Sequence, residues 1–231
     1  MAAHPADHPG PLAFVDDLGA PELSGDDRHH LTRVLRLRDG APLTIADGHG
    51  RWRTALLRDA LEATGPVEVA PVGRPALTVG IALVKGEKPE LVVQKLTELG
   101  IDRIVLFRAA RSVVRWDHAK AGKSVDRLRQ VARSAAMQCH RPDLPVVEVA
   151  ADLASLVAAG SAGDMALAQR DGGTVTLDRP TILVGPEGGW ADEELRVGLP
   201  HVGLAGHVLR AETAAITAGV LLTSLRAASN R

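Results

Sequence analysis

The sequence predicts an α/β protein in which a parallel sheet flanked by helices follows a small, strand-rich domain. Three observations support this prediction. Short apolar segments separated by turn residues fill positions 12–72, strand-like and helix-like segments alternate from position 77 onward, and Pro and Gly cluster between them at 71–75. Regular alternation of strands and helices is typical of a parallel sheet. We therefore expect one domain over residues 1–73 and a second over residues 76–231.

The N-terminal domain is expected to form a small β-barrel, because its predicted strands are short and closely spaced. One helix lies between them, within residues 24–38, and Ser24 is a suitable N-cap for it. We expect its apolar face to carry Leu31, Val34 and Leu35, with arginines on the exposed face. The predicted strands are 12–15, 42–46, 52–57 and 67–70, with a hairpin-like turn at 47–50.

In the C-terminal domain, strands and helices are expected to alternate to the end of the chain. Gly100 ends one of the helices, as the position after a helix C-terminus favours. Ligands of such folds bind beyond the carboxyl ends of the strands. The predicted strands are 77–84, 104–107, 146–149, 165–168, 181–184 and 202–204, and the predicted helices are 90–99, 124–138, 153–159, 191–197 and 211–228.

The composition excludes several classes of protein. The chain has no Tyr and only 2% aromatic residues, so aromatic platforms for base stacking are not expected. Its single cysteine, Cys139, excludes an internal disulfide, and no His/Cys cluster has metal-site spacing, so we expect no metal. The N-terminus lacks the features of a signal peptide, and no apolar run is long enough to span a bilayer. We expect a soluble, cytoplasmic protein without membrane contact.

The net charge of −1 conceals a basic middle third. Lys and Arg outnumber Asp and Glu by 13 to 7 in residues 76–145, while acidic residues predominate on either side. Such a segment suits a polyanionic partner such as a nucleic acid. On charge alone, a solvated basic face without a partner carries about the same weight.

Two loops at predicted strand ends leave their backbone accessible. Residues 184–189 read Val-Gly-Pro-Glu-Gly-Gly, and residues 204–206 read Leu-Ala-Gly. The first loop lacks the Lys of a phosphate loop and the Gly-x-Gly-x-x-Gly dinucleotide fingerprint, and Pro186 removes a backbone donor. A neutral or weakly charged ligand such as an adenine nucleoside therefore suits these loops. For the first loop alone, a tight structural crossover turn is an equally weighted interpretation.

Arg210 and Glu212 open the last predicted helix, next to the second loop. An acidic residue in the first turn suits any helix N-terminus, so Glu212 has a purely structural explanation. Arg210 at the mouth of a ligand site is harder to explain by structure alone. A guanidinium there could hold a phosphate or stabilise a developing oxyanion.

Several motifs occur in a fixed order: Gln94-Lys-x-Thr-Glu-Leu-Gly100, Arg111-Ser112, Ala136-x-Gln-Cys-x-Arg141, Leu183-Val-Gly-Pro-Glu-Gly-Gly189 and Val208-Leu-Arg-x-Glu-Thr-Ala214. Together they resemble the RsmE-type 16S ribosomal RNA uridine N3-methyltransferases of the SPOUT class. The pattern Asp27-x-His-His-Leu-x-x-Val-Leu-Arg36, with Asp47-Gly48, is similar to the PUA-like RNA-binding barrel of that family. The resemblance covers almost the whole chain.

The resemblance implies a homodimeric, S-adenosylmethionine-dependent enzyme with a C-terminal trefoil knot, acting on a uridine of 16S ribosomal RNA in the small subunit. Uridine N3 must lose a proton before it can accept a methyl group. We take Arg210 as the candidate for stabilising the anion and Glu212 as the weaker candidate for the base. The implied cofactor-binding residues are Leu167, Leu183, Val184, Gly185, Pro186, Glu187, Gly188, Leu204, Ala205, Gly206, Val208, Leu209 and Thr213. The predicted RNA contacts are His30, Arg33, Arg36, Lys85, Lys88, Lys95, Arg111 and Arg141.

The chain departs from the family's pattern at three positions. The family usually has Glu where Met137 stands, and Gly and Arg where Ala205 and His207 stand, so we assign no role to Met137 or His207. Two alternatives remain open. One is another SPOUT-type methyltransferase acting on tRNA or on a ribose 2′-hydroxyl, and the other is a non-catalytic RNA-binding assembly factor. A dinucleotide oxidoreductase is disfavoured because its fingerprint is missing.

Overall fold

The chain is described by a computed structural model over residues 4–84, 88–114 and 118–229, with only the backbone of residues 118–121. It divides into two compact units. The first comprises Met1–Val72 and Arg133–Leu144, and the second comprises Gly73–Ala132 and Pro145–Arg231. Residues 133–144 thus join the first unit, although the boundaries expected from the sequence give them to the second.

The first unit contains one mixed sheet. Strand β1 is parallel to β2, whereas β3 pairs in antiparallel fashion with β2, β4 and β5. The β2–β3 pairing confirms the hairpin predicted around residues 47–50. Strand β4 is absent from the sequence-based prediction, because two residues are too few to show an alternating pattern. The strands are β1 Leu12–Phe14, β2 Pro42–Ala46, β3 Arg51–Leu56, β4 Glu62–Ala63 and β5 Glu68–Val69.

Two apolar clusters lie against this sheet, because successive side chains of a strand point to opposite faces. Ala13 belongs to the cluster that contains Leu31. Its neighbour Leu12 belongs to the other cluster, which contains Ala136. Ala136 lies within the 133–144 segment, so this segment joins the first unit by completing the second of its two apolar clusters.

Helix α1, Gly25–His29, continues into a wider π-helical turn, His30–Val34. This turn changes the angular spacing of the side chains that follow it. Leu31 is fully buried, but Val34 is 60% exposed and Leu35 is 46% exposed. The predicted apolar face is therefore wrong at two of its three positions, because it assumed a regular α-helical period.

The second unit is built on a six-stranded sheet in which every pairing is parallel, as the sequence predicts. Its order is β11-β9-β10-β6-β7-β8. Strand β9 extends past the predicted end at residue 168, and β11 pairs with it in an irregular register. The strands are β6 Thr78–Ala82, β7 Arg103–Phe107, β8 Val146–Ala150, β9 Met165–Gly173, β10 Thr181–Val184 and β11 His201–Val202.

Helices cover both faces of this sheet, which explains the continuous apolar sequence of its central strands. Ile182 of β10 packs in one cluster with Leu96 and Leu222, and Leu183 packs in another with Leu156. No helix among the described residues combines the length and apolar character that crossing a membrane requires. The helices are α2 Lys88–Glu98, α3 His118–Gln138, α4 Leu153–Ala159, α5 Asp192–Leu195 and α6 Ala211–Ser229.

Candidate functional site

A cavity of about 360 Å³ opens at the carboxyl ends of β9 and β10 in the second unit. The loop after β10 forms one wall, and the segment from residue 204 into the first turn of α6 forms the other. The end of β9 lies between them. Parallel α/β sheets bind ligands at this edge, and both backbone-accessible loops identified in the sequence contribute to the lining.

The indole of Trp190 supports the loop after β10. Its Nε1 donates a hydrogen bond to the carbonyl oxygen of Ala168 at 3.0 Å, and its ring stacks on Phe107 with a centroid distance of 6.1 Å. A Cβ atom on Gly185 would lie 3.0 Å from Trp190 Cε2. Glycine is therefore favoured at position 185 by close packing on the indole rather than by an unusual backbone angle.

Backbone bonds and Arg111 fix the same loop. The amide of Gly189 donates to the carbonyl oxygen of Pro186 at 2.8 Å, and Gly189 adopts a positive φ of 71°. Such an angle favours glycine. The Nη1 atom of Arg111 donates to the carbonyl oxygen of Gly188 at 3.2 Å. The described contacts of this arginine thus hold the loop in place.

The buried carboxylate of Glu194 joins the loop after β7 to the start of α5. Its Oε1 accepts a hydrogen bond from the amide of Ala110, and its Oε2 accepts one from the amide of Ala191, both at 2.9 Å. The first amides of a helix have no intrahelical partner, so the second bond caps α5. The short helix that follows the glycine loop is anchored in this way.

The opposite wall carries few constraints. Residues 205–208 are exposed, and Val208 is 80% exposed although it lines the cavity. Within the part of the chain that is described, residues 204–209 make no side-chain hydrogen bond or ion pair. Arg210 closes this segment: its carbonyl oxygen accepts the amide of Ala214 at 2.8 Å, in the first turn of α6.

Lys88, the first residue of α2, connects the two walls. Its Nζ atom lies 3.0 Å from Glu187 Oε1 and 3.2 Å from Glu212 Oε2. The hydrogen bond to Glu187, followed by the interaction with Glu212, raises the pKa of Lys88 above its ordinary value. The ammonium group is therefore charged throughout the neutral pH range.

Most of the residues expected to bind the cofactor line the cavity, and the others lie close by. Leu167 and Leu183 are fully buried in the core of the second unit, because their side chains point into the sheet face rather than to its edge. Gly188, Gly206 and Thr213 lie on the lining segments without lining the cavity themselves. The expected residues that do line it are Val184, Gly185, Pro186, Glu187, Leu204, Ala205, Val208 and Leu209.

The two catalytic candidates flank the cavity without lining it. Arg210 and Glu212 stand on either side of Ala211, which does line it. Arg210 is exposed, and its guanidinium has no hydrogen-bond or ion-pair partner among the described residues. Glu212 is only 13% exposed and is paired with Lys88.

The predicted RNA contacts occupy different environments. His30, Arg33 and Arg36 are exposed in the first unit and have no side-chain partner among the described residues. Arg141 is buried and paired with Asp143 at 2.6 Å, so we remove it from the set of RNA contacts. Three of the predicted RNA contacts in the second unit are already engaged by other groups: Lys88 by two carboxylates, Lys95 by Glu98 and Arg111 by the glycine loop. The fourth, Lys85, lies outside the described residues.

Several lining residues were missed in the sequence. Gln169, Arg170 and Asp171 lie at the end of β9. Three polar residues directly after an apolar strand pattern were the signal that could have found them. Trp190 directly follows the glycine loop. Because aromatic residues are rare in this chain, its position could have indicated a role at the site. The other missed lining residues are Ala168, Gly189, His207, Ala211 and Ala214.

Two family models match the chain. Residues 73–223 match the model of an RNA methyltransferase domain, and residues 23–60 match the model of an RNA methyltransferase PUA domain. The first match contains the whole cavity. The second contains α1, the π-helical turn, β2 and β3.

Relatives and solved structures agree with these models. The chain is 35% identical to the ribosomal RNA small subunit methyltransferase E of Mycobacterium bovis, over 90% of this chain and 88% of the relative. A probable rRNA-methyltransferase from Porphyromonas gingivalis has the same fold with a TM-score of 0.81 and 27% identity, over 95% of this chain and 99% of the other. A Legionella pneumophila protein described as a methyltransferase in complex with the bound cofactor SAM superimposes with a TM-score of 0.77 and 29% identity, over 94% and 97% of the two chains.

Proposed function

Because the chain belongs to the ribosomal RNA small subunit methyltransferase E family, we propose that it transfers a methyl group from S-adenosylmethionine to N3 of a uridine in 16S ribosomal RNA. The observation that carries this proposal is the cavity at the carboxyl ends of β9 and β10. The substrate is the RNA of the small ribosomal subunit in the cytoplasm, and the enzyme is a homodimer.

The cavity has the properties that an adenosyl group needs. Its volume is in the range of small-molecule sites, and glycine and apolar residues form most of its walls. Close packing of Gly185 on Trp190 leaves the loop backbone as the binding surface. The Legionella pneumophila relative is in complex with SAM, which supports the same ligand here. When bound, this cofactor supplies a methyl group activated by a sulfonium.

We propose further that the two loops around the cavity belong to a trefoil knot. The residues that would hold the cofactor are those expected from the sequence on the loop after β10 and on segment 204–209, together with the end of β9. Gln169 and Asp171 are added to that set because they line the cavity. Thr213 and Gly206 remain candidates for contacts at its rim.

Methyl transfer to uridine N3 requires removal of a proton and control of the negative charge that results. In our proposal the N3 proton passes to the carboxylate of Glu212. The deprotonated N3 would then accept the methyl group that S-adenosylmethionine supplies when bound. Arg210 stabilises the uridine anion, and its guanidinium has no protein partner among the described residues that would compete. The positive end of the α6 dipole adds to this stabilisation.

RNA binding is proposed for the exposed basic residues of the first unit. His30, Arg33 and Arg36 lie in or next to the π-helical turn, and none of them is engaged by an acidic residue that is described. Arginines of this kind bind phosphates through charge and paired donors. They would orient the RNA, while the cavity of the second unit performs the chemistry.

The decisive experiment is mass spectrometry of ribosomal RNA after incubation of the protein with unmodified small subunits and labelled S-adenosylmethionine. A labelled methyl group on uridine N3 of 16S RNA is the expected result. Label on tRNA or on a ribose hydroxyl would instead support another RNA methyltransferase. Absence of both cofactor binding and label would support an assembly factor.

Arg210→Ala tests the proposed mechanism. We expect the methylation rate to fall by roughly 10²- to 10³-fold, as on removal of one donor to a developing oxyanion, while the cofactor dissociation constant measured by calorimetry changes little. Arg196→Ala is the matched control, because Arg196 is exposed in the same unit. An unchanged rate for Arg210→Ala would exclude the proposed role.

A further inference from the structure

Lys88 joins three elements of the second unit through a single ammonium group. It begins α2, and it contacts Glu187 on the loop after β10 and Glu212 in the first turn of α6. An exposed pair between two side chains contributes little to stability. Here one cation is shared by two carboxylates, one from each wall of the cavity, which is an arrangement for holding groups in place.

This arrangement is unsuited to binding a phosphate. The ammonium and the two carboxylates together carry a net negative charge, and a phosphate that approached Lys88 would meet two anions. Lys88 is also the only polar partner of Glu212 Oε2 among the described residues. Its role therefore differs from the RNA contact predicted from the sequence.

The close packing of α2 against α6 fixes the position of Lys88, at the start of α2, relative to Glu212 in the first turn of α6. A Cβ atom on Gly219 of α6 would lie 2.6 Å from Leu96 Cδ2 of α2, so the two helices approach closely. A helix N-terminus explains an acidic residue at position 212. It does not explain why a lysine from another helix is placed against that residue, which is only 13% exposed.

We propose that Lys88 is a positioning residue that holds the carboxylate of Glu212 at the mouth of the cavity and ties it to Glu187 on the glycine loop. This inference rests on the proposed function, in which Glu212 accepts the uridine N3 proton. In this proposal Lys88 itself touches neither the uridine nor the cofactor. Its loss leaves the base free to rotate and leaves two carboxylates close together without their shared cation.

Steady-state methylation of unmodified small subunits by the full chain tests this role. Lys88→Gln removes the charge, and we expect kcat to fall by roughly tenfold or more, while KM for S-adenosylmethionine and the RNA dissociation constant stay within about twofold. Lys88→Arg keeps a cation at the same place and is expected to restore most of kcat. Lys123→Gln is the control, since Lys123 is an exposed lysine of the same unit that is not among the predicted RNA contacts.

Three results would overturn the inference. The first is an unchanged kcat for Lys88→Gln. The second is weaker RNA binding with a salt dependence reduced by about one charge, which identifies a phosphate contact. Failure of Lys88→Arg to recover activity would also contradict it, because a positioning cation tolerates that change better than loss of the charge.

Failure of the proposed function gives a different pattern. If the unaltered protein methylates no RNA, the inference is judged by amide hydrogen exchange at residues 187–189 and 212–214. Faster exchange at both segments in Lys88→Gln, but not in Lys88→Arg or Lys123→Gln, supports the positioning role. Equal exchange in all variants overturns it, and unchanged exchange in the other helices checks that each variant is folded.

Discussion

The two walls of the cavity differ in how firmly the second unit holds them. The loop after β10 packs on the Trp190 indole, accepts a hydrogen bond from Arg111 and leads into a helix capped by Glu194. Segment 204–209 has no side-chain hydrogen bond or ion pair with the described residues, and Val208 is 80% exposed. The first wall is therefore braced by more contacts than segment 204–209.

This difference bears on affinity. A wall that is already ordered costs little conformational entropy on binding, whereas an adaptable wall has to be ordered by the ligand. We infer that the braced wall selects the cofactor by shape and that the exposed wall closes over it. Substitutions in the first wall should change stability and binding together, and substitutions in the second should change binding alone.

The largest effect is expected from Trp190→Ala. Removing the indole eliminates the stacking on Phe107 and the support under Gly185, so the free energy of unfolding should fall by about 3–5 kcal/mol. Cofactor affinity should fall with it, because the loop loses its fixed position. Urea unfolding and calorimetric titration measure the two quantities. Trp190→Phe keeps a ring and should retain more of both, and equal losses in the two variants would contradict this account.

An intermediate effect is expected from Glu194→Gln. The buried carboxylate accepts two backbone amides, and a glutamine can accept only one while its NH₂ group opposes the other. We expect a loss of about 1–3 kcal/mol in the free energy of unfolding, measured by urea denaturation. Glu193→Gln is the control, because Glu193 is an exposed neighbour on the same helix. A similar small change in both variants would mean that the first wall is less firmly held than we infer.

The smallest effect on stability is expected from Val208→Ser. The side chain is largely in water, so the free energy of unfolding should change by less than about 0.5 kcal/mol. If the second wall closes over the cofactor, burial of this valine contributes to binding, and the dissociation constant should rise several-fold. Calorimetry gives this value. An unaltered affinity would show that the segment remains open around the ligand.

The sheet and its ligand-binding edge could be predicted from the sequence. Apolar runs mark the strands, and the glycines or helical patterns that follow them mark where each strand ends. The cavity lining on the loop after β10 and on segment 204–209 followed from the same signals. Leu167 and Leu183 were assigned to the site from the family resemblance, and both side chains instead lie in the core of the second unit. Successive side chains of a strand point to opposite faces, so the neighbour of a lining residue can face the core. The sequence shows this alternation, but it does not show which face of the strand is buried.

Interactions between distant positions could not be predicted. Lys88 has an ordinary charge in the sequence, but the fold places carboxylates from two distant segments against it. The prediction that Val34 is buried failed for a similar reason. A π-helical turn shifts the spacing of the side chains, and a segment this short does not show that shift in its sequence. Net charge and periodicity describe what a residue can do, and the tertiary fold decides which of these possibilities is realised.

The first unit has a consequence for synthesis of the chain. Its second apolar cluster, which includes Leu12, Phe14 and Trp52, is completed by Ala136 from a segment that follows much of the second unit in the sequence. A fragment ending at residue 72 would leave this face in water, and such a surface favours aggregation. During translation the unit cannot reach its final form until residue 144 has emerged, so its folding depends on contacts of long sequence separation, which form slowly. The RNA-binding residues that we propose therefore acquire their native support late.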